Sequence, residues 1–317
     1  MTGEMTVAKW RVVVTDQVFP TVDVERELLG EIDAELEVAS GPEDALERAQ
    51  GADALLNTYM SFDAATLQSL GSVKAIARYG IGVDNIDLEA ASSADIVVTN
   101  VPDYCVEEVA TQAVALILAL LRKLPQSHEK VLAGGWGLDG LRPMRRVSEL
   151  TVGLVGFGRI SRNVHAYLQP MGARFLVHDP FVKEAEGVEL VDLETLISES
   201  DAISLHAPLL PSTRGMIARE QLDAMRDDAV LVNTSRGPLV VLDDVLDALR
   251  QGRIGGAGLD VFEVEPPPAD RLHGVPNLIA SPHTAFYSEA AVRESQTKAA
   301  TQIIRVLTGG KPDYQVN

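Results

Sequence analysis

Residues 151–161, TVGLVGFGRIS, constrain this chain more tightly than any other stretch. An apolar strand runs into a glycine turn and then into the start of a helix. Gly156 makes the turn. Gly158 lets the backbone approach a pyrophosphate seated on the helix N-terminus, where unpaired N–H groups and the helix dipole favour an anion. Ser161 stands where a third glycine or alanine is usual, so close strand–helix packing is strained there. A second strand, residues 175–178, leads to Asp179, 18 residues beyond Ser161 (179 − 161). That spacing suits a carboxylate that accepts both ribose hydroxyls of NAD and repels the 2′-phosphate of NADP. His178 and Lys183 lie close enough to weaken the repulsion. A bare glycine turn also fits an α/β protein that binds no dinucleotide; the strand–turn–helix–strand–Asp context is what points to NAD.

The rest of the chain repeats the same alternation. Short β-branched runs at residues 11–15, 35–39, 54–57, 75–78 and 96–99 are separated by helical patterns such as 42–50 and 63–70. A βαβα rhythm implies a parallel sheet with helices on both faces. One long helix is expected over 106–124, with Glu107 and Glu108 near its start and Arg122 and Lys123 near its end, as the helix dipole prefers. A glycine-rich stretch, 133–140, follows. Strands resume at 152–155, 175–178, 202–205, 230–233, 258–261 and 278–280, and a final helix covers about 289–307. The fold class is therefore α/β, with two Rossmann-like domains built on doubly wound parallel sheets. The first ends near Asn100 and the second near Ala285.

Composition narrows the partners. With 317 residues, 46% hydrophobic and 23% charged, the chain can bury two cores. A formal net charge of −19 repels phosphate backbones and anionic lipid, so neither nucleic acid nor a membrane surface is an expected partner. A small anion is still admissible, because local dipoles and one arginine override the distant field. The single cysteine, Cys105, allows no intramolecular disulfide and fits a reducing, cytoplasmic compartment. Residues 1–9 lack the apolar core of a signal peptide. The longest apolar run, 113–121, is far short of the roughly 20 residues that span a membrane. No metal is expected.

Hydride transfer from nicotinamide to a 2-keto acid makes three demands. A cation must hold the carboxylate and polarise the ketone, an acid must protonate the forming alkoxide, and a third group must fix that acid's tautomer. Arg236, in NTSRG after the strand at 230–233, supplies a planar fork suited to a carboxylate. Alone it reads equally well as a surface arginine. Glu265, in DVFEVEPPP after the next strand, sits in a proline-fixed loop, with Glu263 as a near neighbour; alone it reads as a solvated loop glutamate. His283, in SPHTAFY after the strand at 278–280, is one of two histidines among six that directly follow an apolar strand. The other, His206, lines the cofactor with its backbone or ring. His128, His165, His178 and His273 read as surface or packing residues. Three such groups at strand C-termini within one dinucleotide-binding domain point together to catalysis.

These residues also carry a family resemblance. RYGIGVDNID (78–87), VPDYCVEEVA (101–110), the glycine turn, NTSRG (233–237), DVFEVEP (260–266) and SPH (281–283) occur in order and resemble the D-isomer-specific 2-hydroxy-acid dehydrogenases, from about Arg11 to Leu307. The resemblance is to the branch that includes C-terminal-binding proteins and phosphoglycerate dehydrogenases. It implies an NAD domain, 102–285, inserted into a flavodoxin-like substrate domain, 1–101 plus 286–317, with the active site in the cleft and hinges near Val101 and Ala285. It implies a homodimer through the NAD domain, involving the long helix and the stretch around Trp136. Arg236 becomes anchor and polariser, Glu265 tuner, and His283 acid and base. The implied cofactor contacts are Gly156, Phe157, Gly158, Arg159, Ile160 and Asp179; His206, Ala207, Pro208 and Thr213; and Thr111, Thr234, Ser235, Asp260, His283 and Ala285, with Asp260 at the nicotinamide carboxamide. The amides of Gly80, Ile81 and Gly82 become the cradle of the substrate carboxylate.

Two departures bear on substrate. Phosphoglycerate dehydrogenases carry an arginine soon after the third strand, where this chain reads LNTYM (56–60), and the chain ends after its last helix; both disfavour 3-phosphoglycerate. Phe286 stands where C-terminal-binding proteins have tryptophan. With Tyr104 and Tyr287 it suggests an apolar or aromatic wall, while Tyr59 and Met60 mark a further specificity loop. The expected activity is hydride transfer between NAD(H) and a small 2-hydroxy or 2-keto acid of D configuration. Two alternatives remain at this point: an NAD(H)-sensing, corepressor-like protein, and an NADP-linked reductase of glyoxylate-like acids.

Overall fold

Short aliphatic runs buried on both faces make the central strands, and shorter or half-exposed strands flank them at the edges. In a computed structural model that describes residues 9–317, they form two all-parallel sheets. Residues 1–8, including most of the segment read above as lacking a signal peptide, lie outside the described residues.

The first unit takes the described chain up to Tyr104 together with Ser288–Asn317. Its elements are β1 (Trp10–Val14), α1 (Asp23–Gly30), β2 (Ala34–Val38), α2 (Pro42–Ala49), β3 (Ala54–Asn57), α3 (Ala64–Ser69), β4 (Ala75–Arg78), α4 (Leu88–Ser93) and β5 (Val97–Thr99). The sheet order is β2-β1-β3-β4-β5, the flavodoxin-like order. Alternation sends Val13, Leu55, Ile76 and Val98 to a core shared with α2, α3 and α4. The opposite face takes α1 and the last helix of the chain, Glu289–Leu307, which packs on α1, β3 and β4. Its N-cap, Ser288, accepts from the Ala291 amide.

The second unit is Cys105–Tyr287. It contains α5 (Val106–Leu121), α6 (Leu124–Leu132), β6 (Thr151–Val155), α7 (Arg159–Leu168), β7 (Arg174–His178), β8 (Glu189–Leu190), α8 (Leu193–Glu199), β9 (Ala202–Leu205), α9 (Arg219–Ala224), β10 (Val230–Asn233), α10 (Leu242–Arg250), β11 (Gly256–Leu259), α11 (Ala269–Leu272) and β12 (Leu278–Ala280). The final helix of the first unit is then α12 (Glu289–Leu307). The order β12-β11-β10-β9-β6-β7-β8 is the Rossmann order carried one strand further. Val152, Leu154, Val230 and Val232 face α5 and α7. Ile203, Leu205 and Leu231 face α8, α9 and α10.

Three expectations are corrected. The long helix stops at Leu121: Pro125 would clash with the Leu121 carbonyl inside one helix, so Lys123 takes a left-handed φ of 50° and α6 starts anew with Pro125 in its first turn. The strand expected at 258–261 lies at Gly256–Leu259, because backbone pairing with β10 outweighs the weak side-chain signal of its two glycines. The two-residue edge strand β8 is too short to leave a sequence pattern. The chain divides at Tyr104/Cys105 and Tyr287/Ser288, a few residues beyond the expected 101/102 and 285/286.

Candidate active site

The glycine turn of the second unit is shaped by what it must pass. Gly156 has a φ of 88°, and a Cβ on it would lie 2.8 Å from the His206 carbonyl oxygen. Its amide donates to the His178 carbonyl at 2.8 Å. The next amide, Phe157, donates to Asp179 Oδ2 at 2.8 Å, and the Phe181 amide donates to Oδ1 at 2.9 Å. Asp179 is thereby pinned at the tip of β7. Each of its oxygens keeps a further lone pair for a ribose hydroxyl. Helix α7 begins on Gly158 with no side-chain cap, and a Cβ at Gly158 would meet nothing within 4 Å. That leaves room beside the helix N-terminus, where a pyrophosphate is held. The residues present therefore fit NAD.

The other residues expected at the cofactor are placed as follows. The Phe157 ring is buried beneath the Arg162 guanidinium, so only its backbone serves the turn. Ile160 packs partly into the core, whereas Arg159 is exposed. The His206 ring turns into the protein. Its Nε2 lies 2.9 Å from Ser204 Oγ, its Nδ1 is buried without a partner, and burial pushes its pKa down to about 4. The ring is neutral at ordinary pH, and it is the His206 carbonyl that meets the glycine turn. Ala207 and Pro208 follow it into a loop closed by Thr213, whose hydroxyl donates to the Pro208 carbonyl at 2.7 Å. Ser235 Oγ donates to the Leu205 carbonyl at 2.7 Å and ties β10 to β9. Thr234 Oγ1 is buried without a partner. Thr111 is exposed on α5, its hydroxyl bonded to the carbonyls of Glu107 and Glu108.

Arg236, Glu265 and His283 hang on neighbouring strands β10, β11 and β12. A Cβ at Gly237 would fall 1.9 Å from the Phe262 carbonyl carbon, so glycine is what lets the Arg236 loop run against the Glu265 loop. The Asn233 side-chain Nδ2 donates to the Arg236 carbonyl at 2.8 Å and closes that turn. Arg236 Nη1 donates to the Ser235 carbonyl, also at 2.8 Å. Glu265 Oε1 accepts from the Phe262 amide at 2.9 Å, and Oε2 lies 2.7 Å from His283 Nδ1. Burial pushes the Glu265 pKa up. The His283 hydrogen bond, the Phe262 amide and the charges of His283 and Arg236 outweigh it and hold the carboxyl below its ordinary value. An ionised Glu265 can only accept, so Nδ1 carries a proton and Nε2 is the nitrogen that can exchange one with a substrate.

His283 adopts a φ of 53°, uncommon for a side-chain-bearing residue. Asp260 holds it there. The His283 amide donates to the Asp260 carbonyl at 2.8 Å, while the Asp260 carboxylate accepts from Ser281 Oγ and from the amides of Thr284 and Ala285 at 3.0 and 2.9 Å. Asp260 is 0% exposed, and its carboxylate fixes the loop that carries His283. Sequence reasoning missed Ser281 as a member of this clamp; its place two residues before His283 was the available signal. Phe286 stands beside His283, ring centroids 6.3 Å apart, with Tyr287 the same distance beyond.

In the first unit, the segment after β4 has its carbonyls bonded and its amides open. Among the described residues, the N–H groups of Gly80, Ile81 and Gly82 donate to no protein acceptor, although Gly80 is buried. An unpaired buried amide is costly without a ligand, and three in succession form an anion cradle. A Cβ at Gly80 would lie 2.1 Å from Arg78 Nη1, so any larger residue there must displace the guanidinium. Tyr104, expected on a substrate wall, is buried, and its ring has little surface to give.

The comparisons place the chain in a family. Residues 114–285 match the family model for the NAD binding domain of D-isomer specific 2-hydroxyacid dehydrogenases. A D-3-phosphoglycerate dehydrogenase of Methanocaldococcus jannaschii is 37% identical over 293 residues, 89% of this chain; the chain spans 55% of that protein's length. A glyoxylate reductase of Korarchaeum cryptofilum is 36% identical, with 95% of this chain and 96% of the relative covered. The crystal structure of the TT0316 protein from Thermus thermophilus superposes with a TM-score of 0.88 at 35% identity, covering 97% of this chain and all of that one. The names these relatives carry favour the enzyme over the sensor alternative. By the domain it matches and by kinship along most of its length, the chain belongs to the D-isomer-specific 2-hydroxyacid dehydrogenase family of NAD-dependent oxidoreductases.

Proposed function

We propose that this protein interconverts a small, unphosphorylated 2-keto acid and its D-2-hydroxy acid, with His283 as acid and base, Glu265 as its tuner and Arg236 as substrate anchor. The observation that carries the reading is the 2.7 Å bond between His283 Nδ1 and a Glu265 held ionised beside Arg236. NAD(H) supplies or takes the hydride. His283 Nε2 donates a proton to the forming alkoxide, and Glu265 stabilises the imidazolium beforehand and holds the ring in its tautomer. Arg236 pairs its planar fork with the substrate carboxylate and draws electron density from the ketone oxygen. The amides of Gly80, Ile81 and Gly82 are a cradle for a substrate carboxylate that adds no titrating group. On this reading Cys105–Tyr287 is the NAD domain and the other unit the substrate domain. Gly156–Ile160, Asp179, the 206–213 loop, Thr234, Ser235 and Ala285 surround the cofactor, and Phe286 contacts the substrate.

A phosphorylated substrate fits poorly. The amides of Thr58, Tyr59 and Met60, just after β3, all donate to the carboxylate of Asp16. That nest already holds a negative group, and no arginine stands in LNTYM to offset it. An NADH-oxidation screen tests the assignment. Short unphosphorylated 2-keto acids should be consumed, with kcat/KM at least about ten-fold above a phosphorylated homologue. Consumption of none, or preference for the phosphorylated acid, overturns it.

The protein acts as a homodimer in the cytoplasm on this proposal. Among the described residues no helix is long and apolar enough to cross a membrane. Leu132, Trp136 and Leu138, at 70, 86 and 59% exposure, are large apolar side chains left exposed in one short stretch, and a second copy would cover them. Light scattering on wild type and Trp136→Glu measures it, with a monomeric mutant as the expected result.

A further inference from the structure

We propose that α12, through Ser295 and Gln296, is a positioning element for the substrate carboxylate, acting on Tyr79 and hence on the Gly80 amide. This rests on the reading of Gly80, Ile81 and Gly82 as the carboxylate cradle.

The carbonyl and N–H of a trans peptide point in opposite directions. In the Tyr79–Gly80 peptide, the carbonyl accepts from Ser295 Oγ at 2.6 Å. In the next, the Gly80 carbonyl accepts from the Val101 amide at 3.2 Å. In the third, the Ile81 carbonyl accepts from Asn100 Nδ2 at 2.6 Å. Three consecutive peptides are thus each held by their carbonyl, and each N–H points away from the donor that holds it. A donor on the carbonyl also polarises the amide, making the N–H a better donor, by something on the order of 10–30% per bond in a chain of bonds.

The first peptide is gripped at both ends of Tyr79. Ser295, 0% exposed, holds its carbonyl. Its phenol donates to Glu25 Oε1 at 2.7 Å, and Gln296 Nε2 donates to both Glu25 oxygens at 3.1 and 2.9 Å and to the Thr21 carbonyl at 2.8 Å. Glu25 receives only donors, as a carboxylate does. Burial and the Glu25 charge push the Tyr79 phenol well above its ordinary pKa, so it remains a donor. Phe19 packs edge-on against the Tyr79 ring at 5.1 Å. Hydroxyl, amide and carboxylate in a core of this kind are costly to bury, and an apolar core would serve packing as well. What the polar set adds is a fixed orientation for one peptide plane.

The test is chemical and spectroscopic. Tyr–Gly occurs once in the chain, at Tyr79–Gly80. Full-length protein labelled at the tyrosine carbonyl carbon and the glycine nitrogen therefore reports that peptide alone. Oxamate, an isostere of the smallest 2-keto acids, is titrated with NADH present. In wild type the Gly80 amide proton moves downfield as oxamate binds. In Ser295→Ala it starts upfield of wild type. Oxamate binding and the keto-acid KM both weaken by about five-fold, the loss of one hydrogen bond's net worth. The KM for NADH and kcat stay within about two-fold, a split that general loosening of the fold would not give. Ser295→Cys, a weaker donor of similar size, falls between and serves if the alanine variant does not fold. An unchanged oxamate affinity in both variants overturns the role of Ser295 and leaves the cradle standing. A Gly80 signal that ignores oxamate in wild type, while oxamate still inhibits, overturns the cradle and the proposal with it.

Discussion

On the proposed function the two units meet the same problem, holding anionic ligand groups in a chain of net charge −19, by different means. The first relies on backbone. Gly80, Ile81 and Gly82 present amides, and the arginine nearest them, Arg78, lies 92% buried with Nε donating to Asn85 Oδ1 at 3.0 Å. The second adds side chains with charge and protons to move: Arg236, Glu265 and His283 on three adjacent strand ends. Amides do not titrate and are carried by the fold itself, so they suit binding that is equal before and during reaction. Charged side chains can change their interaction as charge develops, so they suit catalysis. Damage to the first unit should raise KM, and damage to the second should lower kcat.

The largest test of that division is His283→Ala. Removing the proton donor should lower kcat by about 100-fold or more while NADH still binds, measured by turnover and by nicotinamide fluorescence. A variant with normal turnover would take His283 out of the chemistry. Arg236→Lys comes next. The charge is kept but the fork is lost, and with it one charge-assisted hydrogen bond, so kcat/KM for the keto acid should fall by roughly ten- to 100-fold. Equal kinetics with lysine would mean that Arg236 acts as a distant charge only.

Glu265→Gln should lower kcat for keto-acid reduction by about ten-fold, because the imidazolium loses its counter-charge. The wild-type pH profile carries a sign as well. Glu265 has a folded pKa below the ordinary 4.5. Its contribution is fully present above the ordinary value and is lost as pH falls through the depressed one. Reduction and thermal stability should therefore share an acid limb below pH 4.5 that the glutamine variant flattens. An acid limb of the same shape in both proteins would assign it to another group.

Legibility in the sequence followed the same division. Arg236, Glu265 and His283 were readable as candidates because each lies just past a short apolar strand pattern, and a polar or charged residue at a strand's C-terminal end has few structural reasons to be there. The strands were readable where four or five apolar residues ran together, as in β1 and β10. Where pairing rather than side chains set the limits, as in β11 and the two-residue β8, the pattern was too thin. The break in α5 was signalled by Pro125, but its extent depended on which carbonyl the proline ring must avoid. The inward turn of the His206 ring was available in principle: Ser204 is two residues earlier on the same face of β9. The bond from Ser295 to the Tyr79 carbonyl, 216 residues away, had no local signal at all. Backbone cradles are specified by what presses on them from behind, and those residues sit in elements whose own patterns speak only of packing.

The smallest effect expected is the one that tests the backbone half of the comparison. In Gly80→Ala the new methyl would lie 2.1 Å from Arg78 Nη1 and 3.1 Å from its Cζ. Gly80 is not at a positive φ, so the backbone itself accepts alanine. The guanidinium must move instead, straining its bond to Asn85, which in turn donates to Asn57 Oδ1 and to the Met60 carbonyl at 3.1 and 2.8 Å. The displacement presses on the peptide plane that carries the first cradle amide. The keto-acid KM should rise by about three- to ten-fold, the worth of one weakened hydrogen bond, with kcat and the KM for NADH nearly unchanged. The double variant Gly80→Ala, Arg78→Met removes the clash and should recover part of the lost affinity. A fall in kcat matching the rise in KM would show that the first unit also acts in the transition state, and the division between binding backbone and reacting side chains would not hold.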